Sequence, residues 1–465
     1  MGLMQKQFAD LITFTRPTGG GRFNAAGQFE WLPANTPRID YDPATLSLST
    51  SSVTLGAGQH TFATTRLYTA GDVLRASADA NNWMIGRVVA ASAESVTIEV
   101  ASAVTGSGTY SSWTLIVRLG ILVEEQRTNL LTYSSDFANA AWTKYGSVVP
   151  SDTFGPDGTT KMFAIVELES AGWHGVQKNQ PAATGSRTVS VFAKKGRRDW
   201  LYMRSGTGSW GAVFFNLSTG EVGSRPSSGN PASASGIEDI GGGIYRCWAT
   251  FPNTDTVPIR LFSSDVDGNI AGYVGEAGVE AIYIWGAQLE AGSFPTSLIH
   301  TTNAQVTRTP DIATVNELSP WYNASEGTLF VEAVPLGIKG DISTAGIVSI
   351  DSASTAERFQ IRSYQANGSI SGGVAAAGTL HVLIEKAGAL EVGKRFTTAF
   401  AGKANDFAMY KDGLLVGSDQ SGPMPAPARM AIGFAPSSGY FNGHIRSIRY
   451  YPKRLSGSEL QAMTA

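Results

Sequence analysis

The stretch that decides the fold is residues 188–217, where short apolar runs are interrupted by turn residues. It contains three segments: Thr188-Val189-Ser190-Val191-Phe192-Ala193, Trp200-Leu201-Tyr202-Met203 and Gly211-Ala212-Val213-Phe214-Phe215. Runs of four to eight residues that are rich in β-branched and aromatic side chains, and bounded by turns, predict β-strands. The basic cluster at 194–198 lies between the first two segments, and we interpret it as a solvated turn rather than a phosphate-binding patch.

The same pattern recurs along most of the 465 residues, and the composition agrees with it. Charged residues make up 16%, aromatic residues 10%, and there are 53 glycines. The length indicates about three domains. A hydrophobic fraction of 42% is too high for a disordered chain. We therefore predict an all-β protein of tandem β-sandwich or jelly-roll domains, with a small inserted β-barrel-like domain.

Helical periodicity is confined to the two ends, so the prediction includes short terminal helices. Residues 3–13 form either a helix or an extended arm. Near the C-terminus, Ser456 and Glu459 have the spacing of a capping box ahead of Leu460 and Met463. Between these ends, turn residues separate short apolar runs, which is typical of strands and turns. Asp412-Gly413, for example, predicts a tight hairpin.

Turn clusters and composition divide the chain into five predicted parts. These are an N-terminal arm or docking segment at 1–46 that continues at 118–131, a small inserted β domain at 47–117, a jelly-roll domain at 132–300, a polar linker at 301–323 and a second sandwich at 324–465. Insertions are best tolerated at exposed loops, which is why we place the 47–117 domain inside a flanking unit.

Charge and hydropathy exclude several classes of partner. The formal net charge is −3, and without a basic stripe we expect no nucleic acid partner. No apolar run reaches 18 residues, so we expect no membrane insertion. The single Cys247 excludes a disulfide framework within the chain. The first residues lack the pattern of a signal peptide, so cytoplasmic synthesis is expected.

Catalytic chemistry is not evident in the sequence, and we expect no enzyme and no cofactor. A glycosidase would need two carboxylates that face one groove. Glu332 stands alone in its predicted strand, and the adjacent Glu124 and Glu125 would point to opposite faces. The histidines are isolated and lack metal-ligand spacing. An acid pair assembled from distant segments stays open as an alternative.

One acidic loop offers ligands of the kind that calcium prefers. Its candidates are Asp265, Asp267 and Asn269, which carry the hard oxygen atoms that calcium binds. The loop lacks the distal glutamate of a complete calcium motif. We therefore favour a plain turn and keep an accessory calcium as the alternative, with no metal expected elsewhere.

Aromatic side chains are the candidates for stacking on sugar rings. Alternation places Trp200 and Tyr202 on one face of their strand, with Leu201 and Met203 on the other. Trp210 follows in a glycine-rich loop. The alternative for Trp200 and Tyr202 is a place in a sandwich core. Tyr440 and Phe441, in a loop near the C-terminus, are further candidates.

Three blocks of sequence resemble known families, and the first two of these families belong to tailed-phage virions. The first and most specific is a recurrent block of phage tail and minor structural proteins, carried by Ile39-Asp40-Tyr41-Asp42-Pro43, residues 120–131, residues 137–144, residues 284–297 and Val306-Thr307-Arg308. The second, at residues 68–72, 82–86 and 106–113, is similar to a small β module of phage fibres and spikes. The third, with Met409-Tyr410-Lys411-Asp412-Gly413 and residues 443–451, resembles concanavalin-A-like (laminin-G-type) sandwiches.

These resemblances imply a role on a phage particle. We expect a tail fibre, spike or receptor-binding protein in which the 132–300 domain is of a carbohydrate-binding kind. Its partners would be host-surface polysaccharide or lipopolysaccharide, and other virion proteins through the N-terminal region. A homo-oligomer, preferably a trimer, is expected on the virion surface. The alternatives are a head-fibre, capsid-decoration or baseplate protein and, third, a polysaccharide depolymerase.

Overall fold

The computed structural model describes residues 12–180, 185–252, 257–338, 343–364 and 367–465. The all-β prediction is confirmed, since the regular structure described consists of 41 strands and one helix. That helix, α1, spans Gly457–Thr464, and Ser456 and Glu459 form the predicted capping box at its start. Most of the predicted N-terminal helix lies outside the described residues, and a strand begins at Thr13. Within the described residues, no helix is long and apolar enough to cross a bilayer.

The first 13 strands build the N-terminal flank and the inserted module. In chain order they are β1 Thr13–Thr15, β2 Gly20–Phe23, β3 Phe29–Leu32, β4 Ile39–Ser49, β5 Val53–Thr54, β6 Gly58–Ala63, β7 Val73–Ser77, β8 Trp83–Ala91, β9 Ser95–Val100, β10 Val104–Thr105, β11 Thr109–Tyr110, β12 Trp113–Val123 and β13 Arg127–Asn129. The long strands β4 and β12 pair with each other. Both continue past the boundaries predicted for the inserted module, so the module is joined to its flank by two paired strands.

The next 15 strands form the jelly-roll module. They are β14 Thr143–Tyr145, β15 Ser147–Phe154, β16 Lys161–Val166, β17 Ala171–Gly172, β18 His174–Gln180, β19 Arg187–Lys195, β20 Trp200–Gly206, β21 Trp210–Asn216, β22 Glu221–Val222, β23 Ser227–Ser228, β24 Ala234–Asp239, β25 Ile244–Phe251, β26 Val257–Ser264, β27 Tyr273–Val274 and β28 Glu280–Ala291. One sheet runs β14-β18-β26-β20-β21-β22 with β23 beside β21, and the other runs β15-β16-β28-β19-β25-β24. Apolar side chains of both sheets meet in one buried core, which makes the module a sandwich.

The remaining 13 strands follow the jelly roll, and all of them except β29 build the C-terminal sandwich. They are β29 Val306–Arg308, β30 Ile312–Val315, β31 Glu326–Pro335, β32 Thr344–Asp351, β33 Arg358–Tyr364, β34 Ser369–Ala376, β35 Thr379–Lys386, β36 Phe396–Lys403, β37 Asp406–Lys411, β38 Leu414–Asp419, β39 Arg429–Ile432, β40 Gly439–Tyr440 and β41 Gly443–Tyr451. One of its sheets runs β1-β30-β39-β32-β33-β34-β35, with β40 beside β32. The other sheet begins β38-β37-β36-β31-β41 and continues beyond β41 into strands of another module.

A single sheet of 12 strands extends from the C-terminal sandwich into the inserted module. Its order after β41 is β12-β7-β8-β9-β6, with β4 also beside β12 and β10 beside β8. The connection is the antiparallel pair β12–β41, in which Leu122 lies opposite His444. At the bulge next to it, Gly120 has φ of +113° and a Cβ there would lie 2.4 Å from the carbonyl oxygen of Ile445. Only glycine fits this close approach of two backbones.

The stretch predicted as a polar linker, 301–323, differs from that expectation. It contributes β29, which pairs with β13, and β30, which pairs with β1 and β39. Ala313 and Val315 of β30 are buried in the core of the C-terminal sandwich. The polar residues around β30 conceal its apolar side chains in the sequence, because only part of a four-residue strand faces the core.

Candidate functional site

The two faces of β20 have different surroundings. Leu201 and Met203 are buried in the core between the two sheets of the jelly roll. Trp200 and Tyr202 point away from that core, to the outer surface of the seven-stranded sheet. The predicted alternation therefore holds, and the sandwich core of this module does not contain the Trp200–Tyr202 face.

Strand register assembles further aromatic residues around Tyr202. Phe262 of β26 lies opposite Tyr202 on one side, and Phe214 of β21 lies opposite it on the other. The rings of Tyr202 and Phe214 stack with their centroids 4.7 Å apart. We call the resulting cluster the aromatic face; its members are Tyr145, Trp173, Trp200, Tyr202, Trp210, Phe214 and Phe262.

The aromatic face has two layers. Tyr202, Phe214 and Phe262 are almost fully buried and form the lower layer against the sheet. Trp173 stacks over Phe262 with centroids 5.7 Å apart and an interplanar angle of 13°. Tyr145, Trp173, Trp200 and Trp210 are half-buried, so part of each of these side chains reaches the solvent. The lower layer fixes the rings that a ligand could contact.

Two arginines cross the middle of the aromatic face. Arg204 of β20 and Arg260 of β26 are directly opposite each other in the register. The Arg204 guanidinium lies 4.3 Å from the centre of the Trp210 ring, and that of Arg260 lies 5.6 Å from the centre of Trp173. Arg260 donates to Gln177 Oε1 at 2.7 Å and to the carbonyl oxygen of Gly206 at 3.1 Å. Burial, and then the neighbouring Arg204, lower the pKa of Arg260.

A cavity of about 410 Å³ adjoins this face, next to Tyr145, Trp173 and His174. Close to it, the buried Glu167 accepts from Arg198 Nε at 2.6 Å and from the Tyr273 hydroxyl at 2.6 Å. Although burial opposes ionisation, these two donors hold the pKa of Glu167 at about 2. A carboxylate with these partners stays ionised near neutral pH and is therefore a poor proton donor.

The five predicted sugar-contact residues fall in two separate places. Trp200 and Trp210 are half-buried members of the aromatic face. Tyr202 belongs to the same face but is only 1% exposed. Its ring therefore supports the outer layer, and the prediction that it contacts a sugar directly is wrong. Phe441 is also 1% exposed, in the core of the C-terminal sandwich, so the prediction that it contacts a sugar is wrong. Tyr440 is half-buried and pairs in β40 with β32.

The acidic loop at 265–269 uses its oxygen atoms within the protein. Asp267 accepts from the backbone and the hydroxyl of Ser224, the latter at 2.8 Å. Asp265 accepts from the side-chain amide of Asn269 at 2.8 Å, so the amide presents its NH₂ group, and not its oxygen, to that carboxylate. In the part of the chain that the structure describes, no group of three His, Cys, Asp or Glu side chains could hold a metal. The calcium alternative therefore gains no support from the geometry.

A second cluster, which we call the polar joint, lies where the modules meet and consists of Arg16, Arg38, Glu124, Arg308 and Asp311. Arg16 contacts Asp311 at 2.8 Å, Arg38 contacts Glu124 at 2.6 Å, and Arg308 contacts Glu124 at 3.3 Å. All five residues are buried. Although burial opposes it, Arg308 and Arg38 hold the pKa of Glu124 well below its usual range.

The polar joint connects stretches that lie far apart in the sequence. Its residues come from the N-terminal flank, the return at 118–131 and the stretch after the jelly roll. Nearby, His444 Nε2 of the C-terminal sandwich lies within hydrogen-bond distance of Asp40 Oδ2, at 2.9 Å. The Oδ1 atom of Asn442 accepts a hydrogen bond from the backbone N–H of Glu125 at 2.8 Å. Glu332, which was also considered for catalysis, forms ion pairs with Arg87 at 2.9 Å and with Arg446 at 3.3 Å.

Sequence reasoning missed most of the aromatic face. Phe262 and Arg260 alternate with Ile259 and Leu261 in β26, and that alternation is a signal that the sequence does contain. What it does not contain is the register that places β26 beside β20. Trp173 lies just before β18, where no periodicity marks it.

Neither a protein-family model nor a curated protein sequence matches this chain. Among solved structures, the CBM40 domain of Ruminococcus gnavus IT-sialidase is similar, with 16% identity over 31% of this chain and 84% of that chain, and a TM-score of 0.27. Domains LG4-5 of the mouse laminin α1 chain are similar at 13% identity, 66% and 92% coverage, and a TM-score of 0.23. A pentraxin of Limulus polyphemus has 14% identity, 32% and 77% coverage, and a TM-score of 0.25. These scores are too low to bear on function, and the description of the fold rests on the sheets themselves.

Proposed function

We propose that this protein is a non-enzymatic, glycan-binding adhesion protein and that the aromatic face of the jelly-roll module is its binding surface. The observation that carries the proposal is the half-buried outer layer of Trp173, Trp200 and Trp210, held over a buried aromatic layer. Rings that are fixed in advance lose little conformational entropy when they meet a ligand.

The physical basis is the shape of a sugar ring. One side of most pyranoses presents carbon-bound hydrogen atoms, and an aromatic side chain can cover that apolar side while the hydroxyl groups remain in water. Aromatic residues combine a large contact area with a defined orientation. The surrounding Gln177 and the two arginines supply donors for ring hydroxyl groups.

We further propose that this surface acts on the tail of a tailed phage as a fibre, spike or receptor-binding protein. The recurrent block within residues 39–308 supports this role, because it resembles phage tail and minor structural proteins. Assembly as a trimer would present three aromatic faces at once, so weak single contacts would add up to useful avidity. Attachment to the particle would involve the N-terminal region, and the protein would be made in the host cytoplasm.

Glycan arrays and host-cell binding with the purified chain test the proposal. We expect Trp210→Ala to weaken binding at least about tenfold, because a lost ring contact of this size costs roughly 1.5–3 kcal/mol. Trp83→Ala is the matched control, since Arg75 lies 4.3 Å from the ring centre of Trp83 in the inserted module, as Arg204 does at Trp210. Equal losses in both variants, or no binding of the wild type to any glycan or cell, would overturn the proposal.

The second candidate, a structural virion protein, is favoured by one surface of the C-terminal sandwich. Four leucines on the edge strands β35 and β38 are between 44% and 60% exposed: Leu380, Leu383, Leu414 and Leu415. An exposed apolar edge is typical of a surface that another protein covers. Tight binding to a capsid or tail protein, together with no glycan or cell binding, would favour a head-fibre, decoration or baseplate role instead.

A further inference from the structure

We infer that the ligand of the aromatic face is an anionic glycan, whose charged group binds between Arg204 and Arg260. The inference rests on the proposed function and adds the chemical class of the ligand. It concerns a carboxylate or a phosphate carried on a sugar, since either anion fits two guanidinium groups.

The first argument is the unbalanced charge of the two arginines. They are direct cross-strand neighbours, and like charges in that position destabilise a sheet. Among the described residues, no carboxylate lies within ion-pair distance of either guanidinium, whereas the arginines of the polar joint are paired with Glu124 and Asp311. An anion placed between Arg204 and Arg260 would turn their repulsion into attraction.

The second argument is the unused hydrogen-bonding capacity of Arg204. Its side chain is half-buried, it donates from Nη2 to the carbonyl oxygen of Thr207 at 3.5 Å, and the buried Tyr202 hydroxyl lies close to it. A guanidinium group carries five N–H donors, so Arg204 retains donors for a ligand. An anionic ligand supplies acceptor oxygens to such donors.

The third argument is the order of groups across the face. Trp210 lies beside Arg204, and Trp173 lies beside Arg260, so a ring surface borders the arginine pair on each side. A sugar that stacks on one of these rings can direct a charged substituent towards the guanidinium groups. Neutral glycans would use the rings and hydrogen-bond to the arginines through hydroxyl groups, but they would leave the charge of the arginine pair unbalanced.

The test is an array of matched sugar pairs, probed with the full chain. The pairs are sialyllactose with its carboxyl-reduced form, galacturonate oligomers with their carboxyl-reduced forms, and phosphorylated with unphosphorylated mannose oligosaccharides. We expect the charged member of at least one pair to bind about tenfold more tightly, and this preference should fall as salt is added. The first two pairs report on a carboxylate and the third on a phosphate.

Substitutions locate the effect. Arg204→Gln should abolish the preference for the charged member by weakening its binding far more than that of the neutral member, and Arg204→Lys should keep part of the preference, because lysine retains the charge but not the planar fork. Arg75→Gln is the control: Arg75 also lies over a tryptophan, but it faces Ile85 and Ile116 across the neighbouring strands. Equal binding of charged and neutral sugars, or an unchanged preference in Arg204→Gln, would overturn the inference while the proposed function stands. Absence of all glycan binding would remove both.

Discussion

Asp311 is the residue that holds most of the polar joint. Its Oδ1 atom accepts a hydrogen bond from Arg16. Its Oδ2 atom accepts hydrogen bonds from Arg38 and from the backbone N–H of Glu124. Three arginines and two carboxylates are buried together in this cluster. Such a group is stable only while every charge keeps its partners.

We expect Asp311→Ala to lower the free energy of unfolding by about 3–5 kcal/mol, because it leaves the buried Arg16 without a carboxylate and removes one of the two carboxylates that contact Arg38. Urea titration followed by fluorescence measures this. The control is Asp152→Ala, which breaks an exposed ion pair with Lys161 and should cost less than about 1 kcal/mol. Similar losses in the two variants would contradict this account of the joint.

Lys178 gives a pH-dependent prediction. Its ammonium group donates to the hydroxyl of Thr132 at 2.8 Å and lies 5.0 Å from the ring centre of Trp142. Burial lowers its pKa from 10.5 to about 8. Between these values the unfolded chain binds more protons than the folded one, so the contribution of Lys178 to stability rises with pH.

The measurement is chemical unfolding of the wild type and Lys178→Met across that window. The stability of the wild type minus that of the variant should increase as the pH rises from about 8 to about 10.5. The subtraction removes the contributions of tyrosines and of Cys247, which both chains share. A difference that stays constant or decreases would show that Lys178 is not buried as described.

At the residue scale, the sequence predicts which side chains share a face but not how deeply they are buried. Alternation alone separates Trp200 and Tyr202 from Leu201 and Met203. The burial of Tyr202 depends on Phe214 and Phe262, which arrive from other strands. The same limit applies to Phe441, because its surroundings come from residues far away in the chain.

At the scale of elements, the β12–β41 pair joins two modules through a glycine. We expect Gly120→Val to lower stability by about 2 kcal/mol or more and to speed hydrogen exchange at His444 and Ile445, because the added side chain meets the backbone of β41. Gly58→Val is the matched control: Gly58 has a similar φ of +106°, and a Cβ there meets nothing within 4 Å. Equal effects of the two substitutions would mean that backbone strain alone matters.

Local signals predict elements well and pairing poorly. The Asp412-Gly413 turn joins β37 and β38 as expected, and both residues have the positive φ that such a turn requires. The capping box of α1 is equally local. By contrast, β30 is short, and its place between β1 and β39 depends on strands about 300 and 115 positions away in the chain, a separation that no local pattern reports.

At the scale of the whole molecule, the sheets of the C-terminal sandwich include strands that precede residue 324. These strands are β1 and β30 in one sheet and β12 in the other. We therefore expect a fragment of residues 324–465 to melt at a lower temperature and less cooperatively than one of residues 309–465, which restores β30. Burial of a side chain such as Val315 contributes roughly 1.5–3 kcal/mol. Circular dichroism during heating compares the two fragments, and identical melting curves would contradict a stabilising role for β30.

Each large sandwich contains its own run of strands, and such a run is the kind of grouping that a sequence pattern indicates. The way the modules join was not predictable, because the joints are made of pairs such as Arg38–Glu124 and Asp40–His444 whose members lie far apart in sequence. Their purpose becomes clear only when the fold brings them together.

The 12-stranded sheet has a mechanical consequence. The inserted module is not tethered by a flexible linker, since β4 and β12 leave it as paired strands and β12 hydrogen-bonds directly to β41. A pull on the module along these strands loads their hydrogen bonds in shear, so several bonds must break together before the strands slide. The inserted module is therefore expected to move as a rigid extension of the C-terminal sandwich. A force on its outer end would exert a torque on that sandwich, because no flexible hinge separates the two along β12.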